Sequence, residues 1–165
     1  MMLMWAFVTL ATVSGASPSR SPNSASFVQN EDGSCTNAGK VAETDRLLFN
    51  VDMTTFTRAR DAQNPPCLDW SSDGCTHVPD AKHGIFDFRA SCRRHDFGYR
   101  NAKAQGRCSQ DFKKRVDQNF KADMKRWCKD NFSWFWHPLK RAKCASAAEV
   151  YYGGVRELGN TAWCK

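Results

Sequence analysis

Three patterns that mark common protein classes are missing from this chain. The sequence of 165 residues has no convincing alternation of apolar and polar residues, so a β-sheet domain is not expected. Its eight cysteines include no C-x-x-C pair, which removes the usual ligand spacing of a structural zinc site. There is also no G-x-S-x-G motif, which counts against a serine lipase. A helical protein outside these classes is therefore predicted.

Charged residues are absent from the start of the chain. Residues 1–16 form an apolar run that ends in Ser14-Gly15-Ala16, which is typical of a secretory signal peptide, although no Lys or Arg precedes the run. The alternative is a membrane anchor, but the run is shorter than the roughly 20 residues that a spanning helix needs. We expect a signal peptide over residues 1–16 and a secreted, extracellular protein. Residues 17–42 are rich in Ser, Asn, Gly and Pro and predict a flexible leader or propeptide before a domain at 43–165.

Cysteine and positive charge are both abundant. All eight cysteines lie after residue 34, and in a small exported chain they predict a disulfide framework whose pairing the sequence alone leaves open. The net charge of +7 favours contact with anionic surfaces, either phospholipid head groups or nucleic acid. Plain solubility is the alternative explanation of that charge, and no nucleic-acid-binding motif is present.

Apolar spacing predicts a small all-α domain with about four helices. They are expected from Thr44 to about Arg60, over 92–102, over 110–128 and over 144–158. The third helix has the strongest apolar stripe, and its other face carries lysines that are expected to face solvent. Those lysines are Lys113, Lys114, Lys121 and Lys125.

The second helix carries a histidine beside an aspartate. His95 shares a face with Cys92 and Tyr99, while Asp96 points to one side. An antiparallel third helix can bring Asp117 opposite His95, where a carboxylate would fix the imidazole tautomer and leave the other ring nitrogen to take a proton from water. The alternatives are a packed core histidine and a surface carboxylate.

A loop between cysteines precedes this helix and offers oxygen ligands. Asp73 together with Asp96 would supply two carboxylates of the kind that calcium prefers, and Gly74 gives the backbone freedom to aim a carbonyl at an ion. The alternative is an ordinary Asp-Gly turn.

Three blocks of this sequence resemble the secreted phospholipase A2 family of bacteria and fungi. The resemblance covers roughly residues 44–158, and its most specific part is a His-Asp-Phe-Gly-Tyr-Arg-Asn run after a cysteine. The blocks are Leu68-Asp69-Trp70-Ser71-Ser72-Asp73-Gly74-Cys75-Thr76, Ser91-Cys92-Arg93-Arg94-His95-Asp96-Phe97-Gly98-Tyr99-Arg100-Asn101 and Arg115-Val116-Asp117-Gln118-Asn119-Phe120.

The resemblance implies a mechanism and its residues. His95 would be the general base that activates water for attack on the sn-2 ester of a glycerophospholipid, and Asp117 would orient it. Asp73 and Asp96 would bind calcium through their carboxylates, and Gly74 would bind it through its main-chain carbonyl. Calcium would polarise the ester and stabilise the oxyanion.

The resemblance also implies two antiparallel active-site helices, a calcium-binding loop and a supporting role for Tyr99. It implies the disulfides Cys75–Cys92 and Cys128–Cys144. The pairing of four further cysteines stays open. They are Cys35, Cys67, Cys108 and Cys164.

Aromatic residues are concentrated between Cys128 and Cys144. Phe132, Trp134, Phe135 and Trp136 lie there among basic residues, which suits a membrane interface; filling the core of a small domain is the alternative. Three arginines near His95 are also expected to be exposed. They are Arg93, Arg94 and Arg100.

The sequence thus predicts a secreted, calcium-dependent phospholipase A2 that acts on a phospholipid membrane surface or micelle and releases a fatty acid and a lysophospholipid. No nucleic acid and no obligate protein partner is expected. The alternative is a non-catalytic, cationic, disulfide-rich secreted protein that binds membranes or a protein. Head-group and acyl-chain preference, biological target, propeptide processing and oligomeric state do not follow from the sequence.

Overall fold

A computed structural model describes residues 36–75 and 86–164, without the side chains of residues 161 and 162. The described residues exclude the predicted signal peptide at 1–16 and residues 17–35 of the predicted leader, among them Cys35. The described ranges are helical and contain no β-strand, which confirms the all-α prediction. The helices are α1 (Asn37–Asp45), α2 (Met53–Asp61), α3 (Arg89–Ala104), α4 (Gln110–Asn131), α5 (Pro138–Glu157) and α6 (Gly159–Ala162), with a π-helical turn at Arg46–Asn50.

The prediction of a single first helix from Thr44 to about Arg60 is wrong, because this part of the chain forms two helices, α1 and α2. α1 begins inside the predicted leader, where Thr36 Oγ1 accepts a hydrogen bond from Gly39 N at 3.1 Å. The helical path ends at Val51, which is extended, and Asp52 caps α2 by accepting from Thr55 N at 2.7 Å. An aspartate at this position offers the backbone an alternative to continued helix, which the apolar spacing does not reveal.

The two helices expected to carry the site pack together. α3 and α4 are antiparallel, and α4 also packs along its length on α5. Ser109 caps α4, and Pro138 opens α5 earlier than predicted because proline fits the first turn of a helix. Gly98 lies where α3 meets α4, and a Cβ there would stand 2.8 Å from Val116 Cγ1. The close approach of the helices depends on this glycine.

Three disulfides between residues within 36–75 and 86–164 fix the ends of these elements. Cys75–Cys92 joins the loop to α3, and Cys128–Cys144 joins the end of α4 to α5. Both are pairs that the family resemblance implies. The third, Cys108–Cys164, is a pair that the sequence left open, and it holds the end of the described chain against the start of α4. Cys67 is also disulfide-bonded.

The C-terminal segment is part of the core. Trp163 is buried, donates from Nε1 to Cys108 O at 3.0 Å and packs its ring 4.7 Å from that of Tyr99. Within the described ranges, no helix combines the length and the apolar character needed to cross a membrane.

Arg94 is buried, so the prediction that it is exposed is wrong. Its Nη2 donates to Val51 O at 2.8 Å, and its Nη1 lies 3.5 Å from Asp123 Oδ1. The break between α1 and α2 leaves the Val51 carbonyl outside a helix, and Arg94 satisfies it. Burial raises the pKa of Asp123 to about 6, against the lowering effect of Arg94.

Candidate active site

His95 lies on the inward face of α3 and contacts a carboxylate on α4. Its Nε2 is 2.8 Å from Asp117 Oδ1, and its side chain is 8% exposed. The ring packs between Tyr99 and Phe120, with centroid distances of 4.3 and 4.8 Å. Because Asp117 engages Nε2, Nδ1 is the nitrogen that remains for another partner.

Asp117 accepts four hydrogen bonds although it is fully buried. Besides His95, Tyr99 OH donates to Oδ1 at 2.7 Å, and Lys113 Nζ and Arg156 Nη1 each donate to Oδ2 at 2.9 Å. Burial raises the pKa of Asp117, but these hydrogen bonds outweigh burial and lower it to about 2. Asp117 is therefore a carboxylate, and its negative charge faces the imidazole, at any pH near neutrality.

Sequence reasoning missed the two cations that hold Asp117. Lys113 was expected to face solvent, but its side chain is 0% exposed, and its Nζ also donates to Val155 O at 3.1 Å. Its i,i+4 spacing from Asp117 is the signal that could have identified the pair. Arg156 reaches the same carboxylate from α5, and no local pattern connects residues so far apart in sequence.

Tyr99 supports the same carboxylate from α3. Burial and the negative charge of Asp117 both raise the pKa of Tyr99, so its hydroxyl stays protonated and can only donate to that carboxylate. Gly159 leaves the space that this hydroxyl needs, because a Cβ there would stand 2.9 Å from Tyr99 OH. With Trp163 against its ring, Tyr99 is held from two sides.

Asp96 contacts the loop that the Cys75–Cys92 disulfide joins to α3. Its Oδ2 accepts from Ser72 Oγ at 2.6 Å and from Gly74 N at 3.0 Å. Gly74 has a φ of +70°, a conformation that glycine adopts without strain. Burial raises the pKa of Asp96, the Ser72 hydrogen bond lowers it, and the negative charge of Asp73 raises it further.

Asp73 lies close enough to Asp96 for their charges to interact. Its side chain is exposed, and its Oδ1 is 3.4 Å from Arg100 Nη2. No group of three or more His, Cys, Asp or Glu suited to a metal ion occurs among residues 36–75 and 86–164. Two carboxylates beside the main-chain carbonyl of Gly74 are nevertheless the hard oxygen donors that suit calcium.

One cavity is lined by the predicted site residues other than Asp117, which is fully buried. Its volume is about 480 Å³, and His95, Asp96, Asp73, Gly74 and Tyr99 all line it. The remaining wall combines a disulfide, basic side chains and apolar groups from α4 to α6. These residues are Cys75, Cys92, Arg100, Lys103, Phe120, Gly154, Val155, Leu158 and Gly159.

Asn101 is a further site residue that the sequence did not single out. It is buried and pairs with the backbone of the loop, because its Oδ1 accepts from Asp69 N at 3.0 Å and its Nδ2 donates to Asp69 O at 2.8 Å. Nδ2 also donates to Phe97 O at 2.9 Å. This side chain therefore fixes the loop that carries Asp73 to the helix that carries Asp96.

The predicted aromatic residues lie elsewhere. Trp134, Phe135 and Trp136 are exposed in the connection between α4 and α5, so the alternative that they fill the core is wrong. Phe132 does pack against the core, with its ring 5.9 Å from that of Trp127.

Comparisons with known proteins identify the family. Residues 44–159 match the family described as prokaryotic phospholipase A2. Over 119 residues the chain is 50% identical to a protein named secretory phospholipase A2 from Arthroderma benhamiae, covering 72% of this chain and 78% of that protein. It is 44% identical over 119 residues to a protein of the same name from Beauveria bassiana, covering 72% of this chain and 58% of that one. This chain belongs to the prokaryotic phospholipase A2 family.

Proposed function

We propose that this protein is a secreted, calcium-dependent phospholipase A2 that hydrolyses the sn-2 ester of glycerophospholipids by direct attack of water. Family membership supports phospholipase A2 activity. The observation that carries the proposed mechanism is the 2.8 Å contact between His95 Nε2 and Asp117 Oδ1, because His95 lines a cavity together with the two neighbouring carboxylates Asp73 and Asp96. The products are a free fatty acid and a lysophospholipid.

His95 is the general base in this mechanism. Its Nδ1 accepts a proton from water as the water oxygen attacks the ester carbonyl, and Nε2 keeps its hydrogen bond to Asp117. Asp117 stabilises the imidazolium that forms and fixes the tautomer. The sn-2 ester C–O bond then breaks and the proton passes from Nδ1 to the departing lysophospholipid oxygen. Because water attacks the carbonyl carbon directly, no acyl-enzyme forms.

Tyr99, Lys113 and Arg156 act on Asp117 rather than on the substrate. Lys113 and Arg156 donate to Oδ2, and Tyr99 donates to Oδ1, the oxygen that His95 also contacts. A carboxylate held at four points cannot rotate away from the imidazole, so the base keeps its orientation through the reaction.

Asp73, Asp96 and the Gly74 carbonyl would hold the calcium ion. Asp73 and Asp96 are close enough for the charge of one to raise the pKa of the other, a repulsion that a bound cation removes. The chemistry that calcium supplies when bound is polarisation of the ester carbonyl and stabilisation of charge on oxygen. The exposure of Asp73 leaves this side of the cavity accessible to an ion.

The apolar part of the cavity suits an acyl chain. Phe120, Val155 and Leu158 line it beside His95. We place the substrate at a phospholipid membrane surface or micelle. The chain is divided in this proposal into a signal peptide at residues 1–16, a leader or propeptide at 17–42 and the catalytic domain at 43–165. The names of both relatives support secretion.

Fatty-acid release from defined liposomes tests this proposal. With calcium we expect release of the sn-2 acyl chain and formation of lysophospholipid; an excess of chelator should abolish both, and added calcium should restore both. Undiminished release in chelator would contradict calcium dependence. Leakage of the liposomes without ester cleavage would favour the non-catalytic membrane-binding alternative.

Asn101→Ala is expected to weaken calcium binding about tenfold or more, because a residue that orients metal ligands from behind typically contributes that much. The variant loses both hydrogen bonds to Asp69, so the loop carrying Asp73 is no longer fixed to α3. Isothermal titration calorimetry with calcium measures the change.

Asn119→Ala is the matched control for this variant. Asn119 donates to Leu48 O at 2.9 Å and to Asp123 Oδ2 at 3.2 Å, and it does not line the cavity. It should lower the midpoint of thermal unfolding and leave calcium affinity unchanged. Equal calcium affinity in the two variants would show that Asn101 does not position the loop.

A further inference from the structure

We infer that the connection between α4 and α5 is a membrane-binding element separate from the catalytic cavity, and that it binds anionic phospholipid surfaces. We call residues 132–137, together with Leu139, the aromatic tip. This inference deepens the proposed function, and it rests on that function only for the choice of a lipid surface as partner.

The aromatic tip exposes an unusual amount of apolar surface. Trp134, Phe135, Trp136 and Leu139 are each between 73% and 78% exposed. Single exposed apolar residues are common on proteins, but a continuous apolar patch indicates an interaction surface. Phe132, in the same connection, does pack against the core. The position of the connection therefore does not by itself prevent its rings from being buried.

Local hydrogen bonds hold the tip in this exposed arrangement. Ser133 Oγ accepts from Phe135 N at 3.2 Å and from Trp136 N at 3.5 Å, and Ser133 O accepts from His137 N at 2.9 Å. Below the tip, Cys128–Cys144 ties α4 to α5. An ordered tip gives up less conformational entropy on binding than a flexible one.

Basic residues surround the tip and select its partner. Residues 127–143 contain four Lys or Arg and one Asp. The cations are Lys129, Lys140, Arg141 and Lys143, and the three lysines are exposed. Tryptophan rings at head-group level with lysines beside them are the combination that binds an anionic bilayer surface.

The tip does not form the edge of the cavity. Phe120 lines the cavity and lies 11 residues before Asn131, where α4 ends, which is about 16 Å along a helix at ~1.5 Å per residue. Val155 lines it from α5 and lies still further from Pro138. The tip is therefore a second contact with the bilayer, which holds the enzyme at the surface while substrates enter and leave the cavity.

A second copy of this chain fits the tip less well. Two tips meeting across a two-fold axis would bring their lysines together, and like charges across an interface oppose association. The same charges attract anionic head groups. The surface chemistry therefore favours a bilayer over self-association.

Vesicle binding of the full chain tests the inference. All proteins carry His95→Gln and the vesicles are made of ether-linked lipids, which have no sn-2 ester, so binding is measured without turnover whether or not the catalytic proposal holds. The variant Trp134→Ser/Phe135→Ser/Trp136→Ser should bind vesicles of phosphatidylcholine and phosphatidylserine more than about tenfold more weakly in co-sedimentation, because bilayer affinity rises with the apolar area that is inserted.

Two comparisons complete the test. Val150→Ser removes another exposed apolar side chain, on α5, and should leave vesicle binding unchanged. Lys140→Gln/Lys143→Gln should reduce the preference for phosphatidylserine vesicles over pure phosphatidylcholine vesicles. Retained vesicle binding by the triple serine variant would overturn the inference. A dimer that forms with the intact tip and is lost in the triple serine variant, measured by analytical ultracentrifugation while vesicle binding is retained, would overturn it in favour of a second copy.

Discussion

Replacing His95 with glutamine is expected to reduce kcat about 10²- to 10⁴-fold, the contribution of a positioned general base. Glutamine can keep a hydrogen bond to Asp117, but it cannot accept a proton from water near neutral pH. KM should change little, because the apolar wall of Phe120, Val155 and Leu158 remains. Initial rates on a monomeric short-chain phospholipid measure both constants without the influence of surface binding.

The control for this variant is His137→Gln. His137 is exposed at the start of α5, and it does not line the cavity. It should retain the activity of the unmodified protein. Because the His95 ring packs between Tyr99 and Phe120, thermal unfolding of both variants must be compared. A folded His95→Gln protein with undiminished kcat would contradict the mechanism.

Asp117→Asn is expected to be the most destabilising single change in the site. An amide cannot neutralise Lys113, whose ammonium group is 0% exposed, or Arg156. Breaking a buried ion pair by removing one partner costs about 3–5 kcal/mol, because an uncompensated charge stays buried. The free energy of unfolding, measured with denaturant under oxidising conditions, should fall by this amount, and kcat should fall with it.

A double variant separates stability from catalysis. Asp117→Asn/Lys113→Met removes both members of the buried pair and should recover much of the lost stability while kcat stays low. Activity that returned with stability would show that Asp117 serves the fold rather than the imidazole.

The acid dependence of stability gives a second measure of Asp117. Its pKa is about 2 in the folded protein and about 3.9 in an unfolded chain. Its contribution to stability is therefore complete above about pH 4 and is lost as the pH falls through about 2. Asp117→Asn should remove this part of the acid-unfolding profile. An unchanged profile would contradict the low pKa.

The sequence predicted the parts of the structure that depend on local spacing. Apolar repeats located α4, and the pairing of α3 with α4 followed from a short connection between two such helices. The meeting of His95 with Asp117 was a hypothesis from the same geometry. These features need only helical periodicity and chain reach, both of which can be read along a single sequence.

Other features depend on contacts between distant segments. Arg156 meets Asp117, Trp163 meets Tyr99 and Cys108 meets Cys164 only after α5 and α6 fold back over the site. A lysine looks the same in sequence whether it faces water or a buried carboxylate. The prediction that Lys113 faces solvent was wrong for this reason. The exposure of Trp134 was equally undetermined, because an aromatic residue suits a core and a surface patch alike.

The length of the hydrogen bond between His95 and Asp117 is set in part by a residue with no side chain. Gly98 follows His95 by one helical turn, and Val116, which its missing Cβ would strike at 2.8 Å, immediately precedes Asp117. A methyl group at residue 98 would require the buried Val116 side chain or α4 itself to shift, and a 2.8 Å hydrogen bond between the two helices has little tolerance for such a movement. Transplanting this site onto another helix pair would therefore require three residues, the histidine, the aspartate and the glycine that sets the spacing between their helices.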